Sequence, residues 1–245
     1  MGERSRVENT SDLILSGWAT RDFTLEEFDA YLGKFRPAIV EISKDFVDKT
    51  VSSKGLYGVI AEFKKSNPGT IIAFAGTTDF CLCSSLDFPR YIKYLSVQSA
   101  QAHFFDSSIF RIMIGGNTDF LRETVLDRLD TFEKLIAPIG VGVEIHKGWE
   151  SSLEHIKLIV DKTNFNFIID FQNSLDSHLD FNSLHEVIPQ DRISYFHTRN
   201  LGEQYVEHQS SLEEERMWLG WCRKPLLWEP KKINKNDIVK YSYGH

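Results

Sequence analysis

Val141-Gly142-Val143-Glu144, Phe167-Ile168-Ile169-Asp170, Ile193-Ser194-Tyr195-Phe196-His197 and Pro225-Leu226-Leu227-Trp228-Glu229 decide the reading of this chain. Each is a short apolar run of β type that ends on a side chain able to hold a cation. The terminal residues stand 26, 27 and 32 positions apart, about one strand plus one helix each. A strand that returns to its sheet through a helix lies parallel to its predecessor, because the crossover is right-handed. Four such units in succession bring Glu144, Asp170, His197 and Glu229 to one C-terminal sheet edge, where parallel α/β folds place their chemistry.

The same alternation extends toward the N-terminus. Apolar runs at Leu13–Ser16, Ala38–Glu41, Thr70–Ala75 and Ile109–Ile114 complete a set of eight strands with those ending on Glu144, Asp170, His197 and Glu229. Segments of helical period separate them, at Leu25–Phe35, Leu56–Lys65, Phe88–Gln101, Asp119–Leu135, Ser151–Thr163, Phe181–Val187 and Leu212–Cys222. Thr24 ahead of Leu25-Glu26-Glu27 reads as an N-cap, Ser151 or Ser152 as the opening of the helix that carries His155, and Asn67-Pro68-Gly69 as a helix stop. An open doubly wound sheet usually carries a Gly-rich phosphate turn after its first strand, and Ser16-Gly17-Trp18 is not one. The expected architecture is an α/β fold, a closed (β/α)8 TIM barrel forming one domain over residues 1–245, with the eighth helix short or absent.

Bulk properties narrow the function classes. The 245 residues carry a net charge of −7 and are 42% hydrophobic and 26% charged, as befits a globular chain with a large core. Phosphate neutralisation needs a concentrated basic face, so nucleic acid is not an expected partner. The polar stretch Met1–Ser11 does not read as a secretory signal, and no apolar run reaches the length of a membrane span. Cys81, Cys83 and Cys222 form no disulfide framework, which fits a cytoplasmic protein, and Cys81-x-Cys83 lacks the second cysteine pair of a zinc site.

Two glutamates, an aspartate and an imidazole make a mixed oxygen and nitrogen donor set suited to one divalent ion: Mn2+, Mg2+, Co2+ or Zn2+. With a metal between Glu144 and Glu229, each glutamate would keep one oxygen for a hydroxyketone, on opposite faces. One face can lose a carbon-bound proton and the other regain it, through a metal-stabilised enediolate. The competing reading of any single strand-end acid is a solvated residue or a partner for a nearby Lys or Arg; four in succession favour the metal.

Several runs resemble the strand signatures of the xylose isomerase-like TIM-barrel superfamily, which includes sugar-phosphate isomerases and epimerases, ketose 3-epimerases and endonuclease IV. They are Phe74-Ala75-Gly76-Thr77, Phe110-Arg111-Ile112-Met113-Ile114-Gly115-Gly116, Gly142-Val143-Glu144-Ile145-His146-Lys147-Gly148-Trp149, Ile169-Asp170-Phe171-Gln172-Asn173 and Phe196-His197-Thr198-Arg199-Asn200. The resemblance implies that Glu144, Asp170, His197 and Glu229 bind one divalent ion. It also places Glu150 where ketose 3-epimerases contact substrate, although an acid is favoured at a helix start in any case. Where those epimerases carry a substrate-binding histidine this chain has Asn173, which can hydrogen-bond a sugar hydroxyl but cannot titrate. The many metal-binding histidines of endonuclease IV are missing from the strand ends. His197-Thr198-Arg199-Asn200 with Glu207-His208 is also similar to mannonate dehydratases, which suggests sugar acids as substrates.

Other side chains fall around the expected mouth. His146 shares the strand face of Glu144, and Arg199 follows His197 by two, where a guanidinium can grip a carboxylate or phosphate or pair with a loop acid. Trp18 and Trp149 offer indole faces to a sugar or pack under loops. Glu41 either orients a pocket group or pairs with Lys44. Phe88, Tyr91, Tyr94, Trp218 and Trp221 on outer helices allow a homo-oligomeric contact. The leading function is a metal-dependent isomerase or epimerase of a small ketose, keto acid or sugar phosphate; the alternatives are a sugar-acid dehydratase and a non-catalytic sugar-binding barrel.

Overall fold

The computed structural model describes residues 13–15, 23–49, 53–79, 84, 86–116, 121–200 and 226–230. Eight strands close a parallel barrel in sequence order: β1 (Leu13–Leu15), β2 (Ile39–Ser43), β3 (Ile71–Asp79), β4 (Ile109–Met113), β5 (Gly140–Glu144), β6 (Asn166–Asp170), β7 (Ile193–Asn200) and β8 (Leu226–Pro230). The barrel closes where Leu13 and Ile14 of β1 pair with Leu226 and Leu227 of β8. Helices α1 (Leu25–Phe35), α2 (Lys44–Lys49), α3 (Ser53–Ser66), α4 (Phe88–Phe104), α5 (Arg122–Ile136), α6 (Leu153–Lys162), α7 (Phe171–Asp176) and α8 (Phe181–Leu184) lie between the strands. The expected helix at Leu212–Cys222, the final helix, Trp18, the three cysteines, Trp218 and Trp221 lie outside the described residues. No helix among the described residues is long and apolar enough to cross a membrane.

Local signals account for the helices. Thr24 and Glu27 form a reciprocal capping box at α1, and Arg36 ends that helix in the left-handed region. In α5 the buried residues Val125, Arg128, Leu129, Phe132 and Ile136 repeat at helical spacing. Two short helices, α2 and α7, have no counterpart in the periodicity of the sequence. Each starts directly off a strand, capped by that strand's last residue: Ser43 Oγ accepts from Phe46 N at 3.1 Å and Asp170 Oδ1 accepts from Asn173 N at 2.8 Å. Six residues give too little repeat for a helical period to register. Ser152 sits at the N-cap of α6 without a side-chain cap bond, and Ser151 closes a 3-10 turn with Trp149 and Glu150.

The strands are buried on both faces, as parallel strands under helices must be. Their outward residues join the helices in the main core, exemplified by Phe74, Phe110 and Phe132. A Cβ on Gly76 would lie 2.3 Å from Phe110 Cε1, so only glycine lets β3 pass that ring. The inward residues form a separate apolar plug of Ile39, Ala73, Ile168 and Tyr195, with Ile109 against it. Small residues stand beside the plug: Ala75 and Gly142 are the register partners of Arg111, and Ala73 is the partner of Glu41. They leave room inside the barrel for a layer of charge.

Candidate active site

That charged layer is built from four strands. Arg111 projects inward from β4 because its neighbours Phe110 and Ile112 take the helix side. A guanidinium at that depth must be paired, and Arg111 meets two carboxylates: its Nε lies 3.2 Å from Glu41 Oε2, and its Nη1 donates to Glu144 Oε2. On the other side of Glu144, Oε1 lies 3.1 Å from His197 Nδ1. His197 Nε2 lies 3.5 Å from Glu41 Oε2, which also accepts from the Tyr195 hydroxyl at 2.7 Å. Glu41, Arg111, Glu144 and His197 thus form a buried ring of alternating charge across the barrel.

Charge states follow from this ring. Burial alone would raise Glu144, but Arg111, His197 and the nearby His146 outweigh it and hold the carboxyl well below the usual carboxylate range. Glu41 is lowered in the same way, its burial overcome by Arg111, His197 and the Tyr195 hydrogen bond. Burial would depress His197, yet the two carboxylates push it up to about 10. Tyr195 is raised well above its ordinary value by burial and by Glu41. The ring is therefore ionised at neutral pH, with the tyrosine as a neutral donor.

Glu144, Asp170 and His197 come together: one donor atom from each lies within 4.8 Å of the others, and all three side chains are buried. Oxygen donors with one imidazole, closed off from bulk water, fit a divalent ion of the Mn2+, Mg2+, Co2+ or Zn2+ kind. Asp170 is held by its second task, since Oδ1 caps α7. Glu229 pairs in register with Arg199, two residues beyond the pair His197 and Leu227; the side chains of Glu229 and Arg199 lie outside the described residues.

Near the ligands, Asn173 is buried on the first turn of α7, and His146 is half-buried just past Glu144. Glu150 is fully buried. Its Oε2 accepts from Gly115 N at 3.0 Å, while Trp149 N donates to Gly115 O at 3.1 Å, so the segment after β5 clasps the segment after β4. A Cβ on Gly148 would lie 2.9 Å from both Glu150 Oε2 and Gly115 Cα, and Gly115 and Gly116 hold positive φ of 69° and 72°. Burial, reinforced by the charge of Glu144, pushes the Glu150 carboxyl up to about 7 against its backbone hydrogen bonds.

Two placements decide between alternatives that the sequence leaves open. Trp149 is fully buried and stacks on His155 at 4.0 Å, with an interplanar angle of 4°, so its indole is a packing element and not a face for a sugar. Lys44 pairs with Asp48 one helical turn on, which leaves Glu41 to Arg111 and Tyr195. Arg111 and Tyr195 were not singled out as site residues. The signal for Arg111 was present, a lone cation inside the apolar run Ile109-Phe110-Arg111-Ile112-Met113, because a charge within a strand buried on both faces needs a partner. Of the aromatic residues considered for an oligomeric contact, Phe88 and Tyr91 are half-buried and Tyr94 is exposed.

No protein-family model and no curated protein matches this sequence. Solved structures do match its fold. The probable 3-DHS dehydratase AsbF of Bacillus anthracis superposes with a TM-score of 0.73 at 16% identity, over 94% of this chain and 96% of that one. A xylose isomerase domain containing protein of Salmonella typhimurium gives 0.69 at 14% identity over 92% and 90%. The 3-keto-D-glucoside 4-epimerase YcjR of E. coli gives 0.66 at 14% identity over 94% and 96%. Barrel closure, strand order and these superpositions lead to one conclusion: the chain has a closed parallel (β/α)8 TIM-barrel fold, which it shares with these proteins.

Proposed function

We propose that this protein is an isomerase or epimerase of a small ketose, keto acid or sugar phosphate, working with one divalent ion held by Glu144, Asp170, His197 and Glu229. The buried cluster of Glu144, Asp170 and His197 at the ends of β5, β6 and β7 carries the reading. A cation bound there would offset negative charge developing on a substrate oxygen and so acidify the adjacent C–H bond.

The chain's own residues divide the remaining work. Glu144 has one oxygen toward His197 and the other on Arg111, and is held strongly ionised, so it serves as a ligand and is a poor proton acceptor. Of the two glutamates expected to move protons, we assign proton removal mainly to Glu229. Glu150, with a carboxyl raised to about 7, is suited to exchange a proton near neutrality. Asn173, His146 and Arg199 are assigned to the hydroxyl and acidic groups of the substrate.

The test is exchange of substrate protons into deuterated water across a ketose panel with added Mn2+. Exchange is expected with wild type and not with Asp170→Ala, and full turnover after exhaustive chelation would overturn the assignment. A dehydratase is the second reading, prompted by the AsbF superposition. It shares the first step, loss of a proton beside a carbonyl, and then expels a hydroxyl. A product lighter by one water in the same assay would select it.

A further inference from the structure

We propose that Glu41 is a positioning residue of the metal site, its carboxylate holding the Nε2–H of His197 so that Nδ1 is the nitrogen offered to a cation shared with Glu144 and Asp170. This rests on the metal reading above and adds to it a residue from β2, on the far side of the ring from β6.

The imidazole has two unlike sides. Nδ1 lies 3.1 Å from Oε1 of Glu144, itself a member of the cluster with Asp170 and His197. Nε2 faces Glu41, 3.5 Å from its Oε2. That separation exceeds a hydrogen bond, and the consequence is visible on both residues. Among the described residues, His197 Nε2 and Glu41 Oε1 are buried polar atoms without a hydrogen-bond partner. A buried polar group left unsatisfied is destabilising. Closing the 3.5 Å gap by a few tenths of an ångström lets His197 Nε2 donate to Glu41 Oε2.

Ligation gives that pairing its purpose. A histidine ligand must present a bare nitrogen to the metal and keep its proton on the other, and a carboxylate accepting that proton fixes the tautomer, orients the ring and raises its donor strength. Glu41 is equipped for this. It is fully buried, Arg111 Nε lies 3.2 Å from its Oε2, and the Tyr195 hydroxyl pins that oxygen at 2.7 Å. An aspartate would fall short of the ring by one methylene, and a neutral amide would hold the proton more weakly.

Two measurements on the full chain test the assignment. Calorimetric titration with Mn2+ compares wild type with Glu41→Gln, and nitrogen NMR of the Zn2+-loaded, histidine-labelled protein reads which ring nitrogen of His197 carries the proton. We expect Nε2 to be protonated in wild type, its N–H resonance to move upfield in Glu41→Gln, and Mn2+ affinity to fall about 10- to 100-fold. Zn2+ on Nε2 in wild type overturns the inference, and that result stands even when Glu41→Gln does not fold. Unchanged Mn2+ affinity in a folded Glu41→Gln also overturns it. A wild type that binds neither ion defeats the metal reading itself, a result distinct from tight binding that is indifferent to Glu41.

Discussion

Arg111 and Glu144 are joined across adjacent strands one level out of register: the pairing partner of Arg111 is Gly142, and its guanidinium reaches toward the barrel mouth to Glu144 while its Nε stays beside Glu41. One cation thereby neutralises two buried carboxylates. Removing it leaves both without that counter-charge. Arg111→Met should cost about 3–5 kcal/mol of stability, read as a fall in the urea midpoint. Arg111→Lys keeps the charge but not the planar fork that spans two acids, and should lie between the two proteins. A stability change below about 1 kcal/mol in Arg111→Met would mean that the ring is not the structural unit inferred here.

The unequal roles proposed for the two glutamates are separable. Glu144→Gln removes an ionised ligand, so Mn2+ affinity should fall together with turnover. Glu229→Gln keeps an oxygen that can reach the cation but loses the base, so Mn2+ affinity should fall less than in Glu144→Gln while proton exchange into deuterated water drops by about 100-fold or more, the usual scale of a lost general base. Calorimetry and mass spectrometry on the same preparations check this. The reverse pattern, with affinity lost in Glu229→Gln and retained in Glu144→Gln, would exchange the assignments.

The barrel was legible because parallel strands write continuous apolar runs at nearly constant spacing, and the runs ending on Glu144, Asp170 and His197 are all strands that end at or just beyond those residues. The converging donors were legible because strand ends share one edge. What the sequence hid was contact between distant strands. Tyr195 and Glu41 meet across 154 positions, and nothing local marks either residue as the other's partner. Trp149 stayed undecided for a related reason: an indole after a strand is equally suited to a mouth or a core, and only the stacking of His155 from α6 decides for the core.

Gly76 offers a test of the packing that seats the charged layer. A Cβ there would overlap the Phe110 ring, whose outward position on β4 turns Arg111 inward. Gly76→Ala should destabilise by about 1–3 kcal/mol through overpacking. Combining it with Phe110→Leu should cost less than the sum of the two single changes, because the smaller side chain makes room for the new methyl group. Additive losses in a urea-denaturation cycle would place the strain elsewhere.

Glu150 sets a pH dependence of stability of defined sign. Its carboxyl rises from 4.5 to about 7 on folding, so between these values the native state keeps a proton that the unfolded chain has released. Stability from this group is complete below about 4.5 and is lost as pH rises through 7, with a ceiling of about 3 kcal/mol. Glu150→Gln retains an oxygen for Gly115 N and has no proton to lose. Measured by urea denaturation, the two proteins should be similar at pH 5, and the variant should be more stable at pH 8, by an amount that grows across the interval. Parallel stability curves from pH 5 to 8 would show that Glu150 does not titrate there, and would remove it as a proton-exchanging group in the site.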